Sequence, residues 1–268
     1  MTESPTNHLS DLLPFEKEHF HPEYLKYFSE KRHNFKSSLK GCRGVWDSLQ
    51  LLNDIWMREF GDLEHSIQAN QMLSLTIFKF AHSKFLVAIE LGFSCCVGDS
   101  YSILRNGIEA TAHAHKIFRE PALEQVWVKK ATDKAAYNAA FEENKKKALY
   151  PDDLPIGKLH FYWTHFSESS THSSANSIGL SFEEKEVDGT TFWGINYFQA
   201  KPKRLAVFFL ALLIASSHME SVFFDCFEGR LKLDPELVTM RGTFAKMKEE
   251  QRHLLNNTYN LAGTSVWP

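Results

Sequence analysis

"LAVFFLALLIASSHMESVFF", Leu205 to Phe224, is the stretch on which the architecture turns. Its unbroken apolar part is about a dozen residues, short of the roughly 20 that span a bilayer. His218 and Glu220 interrupt the segment beyond that part. A segment apolar on almost every side, yet cut by ionisable groups, suits the centre of a soluble bundle. It reads as a buried helix over about 203–228, opened by Pro202 and closed by Gly229, with no membrane partner.

Around this centre the sequence keeps a helical period. In "VWDSLQLLNDIWMREF" (Val45–Phe60), Trp46, Leu49, Leu52, Ile55, Trp56 and Phe60 recur on one face. Gln71–Phe93 reads as a long apolar helix stopped near Gly92. Ser100–Glu120 reads as a helix with Asp99 as its N-cap, ending before Pro121. Pro121–Lys130 reads as a short helix. Asp133–Leu149, rich in Ala, Glu and Lys, reads as a surface helix with its lysines in water. "YPDDLP" breaks the chain before a helix over Ile156–Ser169, and Pro235 starts a last helix to about 255.

The period changes only at Leu180–Phe198. Two β-leaning runs flank Asp188-Gly189, a pair suited to the positive φ of a tight hairpin turn, so strands are expected over about 180–187 and 190–197. The fold class is therefore mainly α, a helical bundle with one β-hairpin insertion at about 180–197. Residues 1–21 read as a loose arm, 22–255 as one domain and 256–268 as an irregular tail.

Composition narrows the function classes. Hydrophobic residues make up 43% and charged residues 24% of 268, which is enough for one sizeable core. The net charge of −3 gives no global support to an RNA partner. Cys42, Cys95, Cys96 and Cys226 show no CxxC spacing, so they read as reduced thiols of a cytoplasmic protein. "MTESPTNHLSDLLPF" lacks a basic start and an apolar core, so no signal peptide is expected. The aromatic surplus, led by 22 Phe, could serve a homodimer face.

Two segments concentrate polar chemistry. In "LRNGIEATAHAH" (Leu104–His115), Arg105, Glu109 and His113 are spaced by four and lie along one helix stripe. They form either an ion pair with a hydrogen-bonded histidine or a polar pocket for an anion or metal; His115 is expected at the surface. In "WTHFSESSTHSSANSIG" (Trp163–Gly179), the hydroxyls favour a helix end near Ser169–Ser174, with His172 beside it. Glu109/His113 and Glu168/His172 repeat a Glu-x-x-x-His spacing, so these four residues are the candidate ligands of a divalent metal. No other cofactor is expected. No G-x-S-x-G, phosphate loop or dinucleotide fingerprint occurs.

"GFSCCVGDSYSILRNGIEATAHAHKIF" (Gly92–Phe118) and "YWTHFSESSTHSS" (Tyr162–Ser174) resemble the two signatures of a family of bacterial and phage helical proteins loosely grouped with HEPN-like domains. The resemblance covers about Phe85–Ser174, with Ser173 where the family usually has proline. It implies one polar site between two helices, with Arg105 and Glu109 from the first signature and Ser167, Glu168 and His172 from the second. HEPN ribonucleases carry R-x(4–6)-H. Here seven residues separate Arg105 from His113, which turns the imidazole by about 100° from the longest such spacing.

Three functions are compatible with these residues. The first is a helical interaction or ligand-binding protein with a buried Arg/Glu/His site, in which Ser167, Glu168 and Ser169 contact the ligand. The second is a HEPN-like ribonuclease of toxin or phage-defence type, with Arg105, Glu109, His113 and His172 catalytic. The third is a metal-dependent hydrolase. Whether the chain is an enzyme stays open at this level.

Overall fold

The computed structural model describes residues 18–64, 66–170, 179, 182–188, 190–199 and 201–261. Among them are ten α-helices and one two-stranded antiparallel ribbon, so the protein is a mainly α helical bundle with a β-hairpin. In chain order the helices are α1 (Pro22–Gly41), α2 (Arg43–Leu63), α3 (Met72–Phe93), α4 (Val97–Arg119), α5 (Leu123–Val128), α6 (Lys134–Tyr137), α7 (Lys145–Leu149), α8 (Gly157–Ser170), α9 (Pro202–Phe227) and α10 (Pro235–Tyr259). The strands β1 (Phe182–Val187) and β2 (Thr190–Ile195) pair Val187 with Thr190 across the turn. Asp188 there holds φ 51°, the left-handed value such a turn needs. Residues 1–17 and 262–268, most of the expected arm and tail, lie outside the described residues. The last helix runs to Tyr259, past the expected end at 255.

Helix α9 is the axis. Phe208 to Leu213 are all fully buried, as are Phe223 and Phe227. By length and composition alone, α9 and α3 are each apolar enough to cross a membrane, and α9 is the more thoroughly enclosed by its neighbours. Its N-terminus is set by Pro202 in the first turn, where the missing N–H costs nothing. Helices α2, α4, α8 and α10 pack round it.

The hinge between α3 and α4 shows why the start of α4 differs from the expected Asp99 cap. The Cys96 N–H donates to the Leu91 carbonyl (2.9 Å) and the Cys95 N–H to the Gly92 carbonyl (2.9 Å), while Cys95 adopts φ 64°. This is a Schellman closure with cysteine in the position glycine usually takes. It reverses the chain within three residues, so α4 begins at Val97 and Asp99 lies inside its first turn. The two helices then run antiparallel, pinned by Ser100 Oγ donating to the Ala88 carbonyl (2.7 Å) and Ser74 Oγ to the Ala114 carbonyl (2.7 Å).

Gly92 lets α9 approach this hinge. A Cβ built there would lie 2.4 Å from the Phe208 ring, which is itself fully buried. Gly92→Ala should therefore destabilise the fold by about 1–3 kcal/mol through overpacking, read as a lower midpoint in urea with an unchanged slope.

Candidate functional site

The stripe on α4 does converge. The Arg105 guanidinium lies 3.6 Å from the Glu109 carboxylate, one helical turn on. Its Nε donates to Ser167 Oγ of α8 (2.7 Å), and that hydroxyl donates to the Trp163 carbonyl (2.7 Å). Thus the two segments singled out in the sequence meet through Arg105 and Ser167. Arg105 also sits 4.9 Å above the Trp163 ring, whose indole N–H reaches Glu109 (3.4 Å). The arrangement satisfies Arg105 with one hydroxyl, one carboxylate and one aromatic face.

Glu109 has a further partner that sequence reading placed elsewhere. Lys145 Nζ donates to Glu109 (2.7 Å) and to Glu142 (3.1 Å). The expected surface helix over Asp133–Leu149 is broken into α6, a π-helical turn at Asn138–Glu142 and α7, with Asn144 in the left-handed region at φ 53°. The extra residue of the π turn and the sharp bend at Asn144 redirect the chain. Tyr137, Phe141 and Leu149 are buried and Lys145 faces inward, while Lys146 and Lys147 stay exposed. The hydrogen bonds from Lys145 and the charges of Lys145 and Arg105 outweigh burial and hold the Glu109 carboxyl below its ordinary value.

His113 closes the other end of the stripe. It is 7% exposed, and its Nδ1 accepts the Trp127 indole N–H (3.1 Å). Burial, stronger than the nearby charges, lowers its pKa to about 4, so the ring is neutral at physiological pH. Because Nδ1 accepts, the hydrogen-bond network assigns the proton to Nε2. That N–H is buried and has no partner among the described residues. Phe141 packs 5.2 Å from the imidazole, centroid to centroid. His115, expected at the surface, is buried instead, because α4 is enclosed on nearly all sides from Gly107 to His115.

One wall of an open-mouthed chamber of about 580 Å³ is built from this end of α4. Glu109, Ala110 and His113 face it from α4, Ile77 and Phe80 from α3, and Trp127 and Tyr137 from α5 and α6. Arg105 is not among its lining residues. Of the other candidates, Ser167 is occupied by Arg105 and Trp163, Glu168 is exposed, and Ser169 is half-buried in the last turn of α8. His172, with the rest of residues 171–178, lies outside the described residues.

Glu109, His113 and Glu142 offer ligand atoms within 4.8 Å of one another, so Glu142 takes the place that spacing gave to Glu168 in a metal set. The chemistry of these donors does not fit an ion as they stand. The Lys145 ammonium already bridges the two carboxylates. The unpaired imidazole nitrogen carries the proton, and offering a lone pair there would require giving up the Trp127 hydrogen bond.

The polar residues thus fall into two chemically different halves. Arg105, Glu109, Lys145, Trp163 and Ser167 satisfy one another and lock α4, α7 and α8 together. His113 and the chamber retain an unused donor. Trp163, Lys145 and Trp127 were missed by spacing arguments, since each reaches the stripe from another element. Compared with known proteins, the chain has no significant match to a family model, a curated protein or a solved structure.

Proposed function

We propose that the protein is a ligand-binding helical module whose site is the chamber beside His113, and that the Arg105–Glu109–Lys145 group is its structural support. One observation carries the reading: a mostly apolar chamber of ligand size is lined by His113, Trp127, Tyr137 and Phe80, with only a few polar groups among them. Mostly apolar walls with a few polar groups are the usual make-up of a small-molecule site.

Titration with the neutral dye Nile red tests this. The native protein should bind it with enhanced fluorescence, and Ala110→Phe, which fills the chamber, should weaken binding about tenfold or more. Equal binding by both proteins would place the dye elsewhere and remove the reading. The ribonuclease alternative is checked in parallel by incubating RNA with the native protein and with Arg105→Ala. Cleavage lost in the variant would replace the non-catalytic reading. The supporting half makes its own prediction: Glu109→Ala leaves Lys145 with Glu142 alone and Arg105 without its carboxylate, and should cost about 1–2 kcal/mol in urea unfolding, discounted for partial exposure.

A further inference from the structure

We infer that the ligand of this chamber is an amphipathic anion, an aliphatic or aryl acid whose carboxylate is held by Lys84 and Lys130 while its apolar body fills the space against α3 and α4. This inference rests on the binding reading above and names the ligand class.

The charges on the chamber wall point this way. Three charged residues line it: Lys84, Glu109 and Lys130. Glu109 is already neutralised by Lys145 and Arg105. Lys84 and Lys130 are not paired with any carboxylate among the described residues. Each ammonium instead rests over an aromatic ring: Lys84 Nζ 4.4 Å from the centroid of Phe80, and Lys130 Nζ 4.2 Å from that of Tyr137. Both rings also line the chamber. The rings therefore hold two cations at its edge without consuming their hydrogen-bonding capacity, because a π face attracts the charge but accepts no strong hydrogen bond. The chamber presents two cations at its edge, polar groups on Thr76 and Asn106, the neutral His113 ring and apolar contacts from Leu73, Ile77, Phe80, Ala110 and Trp127.

Chemistry of the opposite sign fits badly. A cationic ligand would meet two ammonium groups that have no carboxylate partner among the described residues. A neutral apolar molecule would fill the walls but leave both lysines unused. A carboxylate accepts from both ammonium groups, and hydrogen bonds involving a charged group are the stronger ones.

The experiment displaces Nile red from the full chain with decanoate, decanol and decylammonium, each kept below its aggregation threshold. Decanoate should compete about tenfold more strongly than decanol, and decylammonium least. In the double variant Lys84→Met, Lys130→Met, decanoate should fall to the level of decanol while decanol itself is unchanged. Methionine keeps an apolar stem at these accessible positions, and Nile red binding by the variant reports that the chamber is intact. Decylammonium competing as well as decanoate, or a double variant that retains the preference for decanoate, overturns the anionic class while leaving the chamber as a binding site. Failure of all three to displace the dye, together with Ala110→Phe leaving dye binding unaltered, removes the chamber itself as a site and the inference with it.

Discussion

Arg241→Ala should be among the most damaging single substitutions in this protein, lowering stability by about 3–5 kcal/mol. Arg241 on α10 extends one guanidinium nitrogen between two carboxyl groups: Glu59 of α2 (2.5 Å) and Glu220 of α9. Both glutamates are almost wholly buried. The guanidinium also lies 3.7 Å over the Phe224 ring, so its stem and face are packed as well as its charge. Removing it leaves two acids in the interior with no cation between them. Urea unfolding of Arg241→Ala against the native protein reads the loss directly, and a cost below about 1 kcal/mol would contradict the burial described. A second variant separates lost charge pairing from lost packing. Arg241→Met combined with Glu220→Gln removes the cation and its carboxylate partner together, and should recover part of the deficit, because the largest penalty comes from the stranded charge.

The same trio gives the protein a pH signature. Two carboxyls share one cation, so burial and the charge of Glu220 push the Glu59 carboxyl up to about 10; Glu220 is also raised, chiefly by burial. Between the ordinary carboxylate pKa of about 4.3 and that raised value, the folded state keeps a proton that the unfolded chain has released. Its stabilising contribution is complete below the unfolded value and is lost as pH climbs through the folded one. Glu59→Gln, which has no proton to lose, should flatten the decline between those two values.

How far these features were legible in the sequence depends on the range over which they are determined. The hairpin was readable because Asp188-Gly189 and its flanking strands are a local pattern that pairs with itself. The core helix was readable because a segment such as Phe208–Leu213 has no polar face to turn outward. The Arg105/Glu109/His113 stripe came from spacing of four on a helix. What spacing could not show is what each of these groups touches. Lys145 sits in a lysine run that looks solvated, and only the π turn and the left-handed Asn144 turn it inward. Trp127 and Trp163 reach the stripe from helices placed by tertiary packing. Glu220 showed only as a charge interrupting an apolar helix, and its partners Glu59 and Arg241 carry no local mark, because those two are separated by 182 positions.

Phe223→Ala is expected to match the loss at Arg241, at about 3–5 kcal/mol, through a different mechanism. Phe223 sits where α9 meets α2 and α3. Its ring stacks 5.1 Å from Trp56 and meets Phe60, Phe78 and Phe227 with centroids at 5.0, 5.2 and 5.1 Å. His82 closes the cluster against Trp56 and Phe60, and burial lowers its pKa to about 4, so it takes part as a neutral ring. Truncating Phe223 removes one ring from four aromatic contacts and leaves a cavity whose walls are rings on long helices. These helices cannot close in without dragging their other contacts, so the transfer and cavity costs add. Leu254→Ala, at an exposed position on α10, is the control and should change stability by no more than about 0.5 kcal/mol. The contrast is measured in urea for both variants. If Phe223→Ala cost no more than the control, the aromatic cluster could not be the junction that ties α9 to its neighbours. Because α9 also carries Glu220 and Phe208, loosening it should raise the sensitivity of the fold to Arg241→Ala and Gly92→Ala, which a double-mutant cycle would register as non-additive losses.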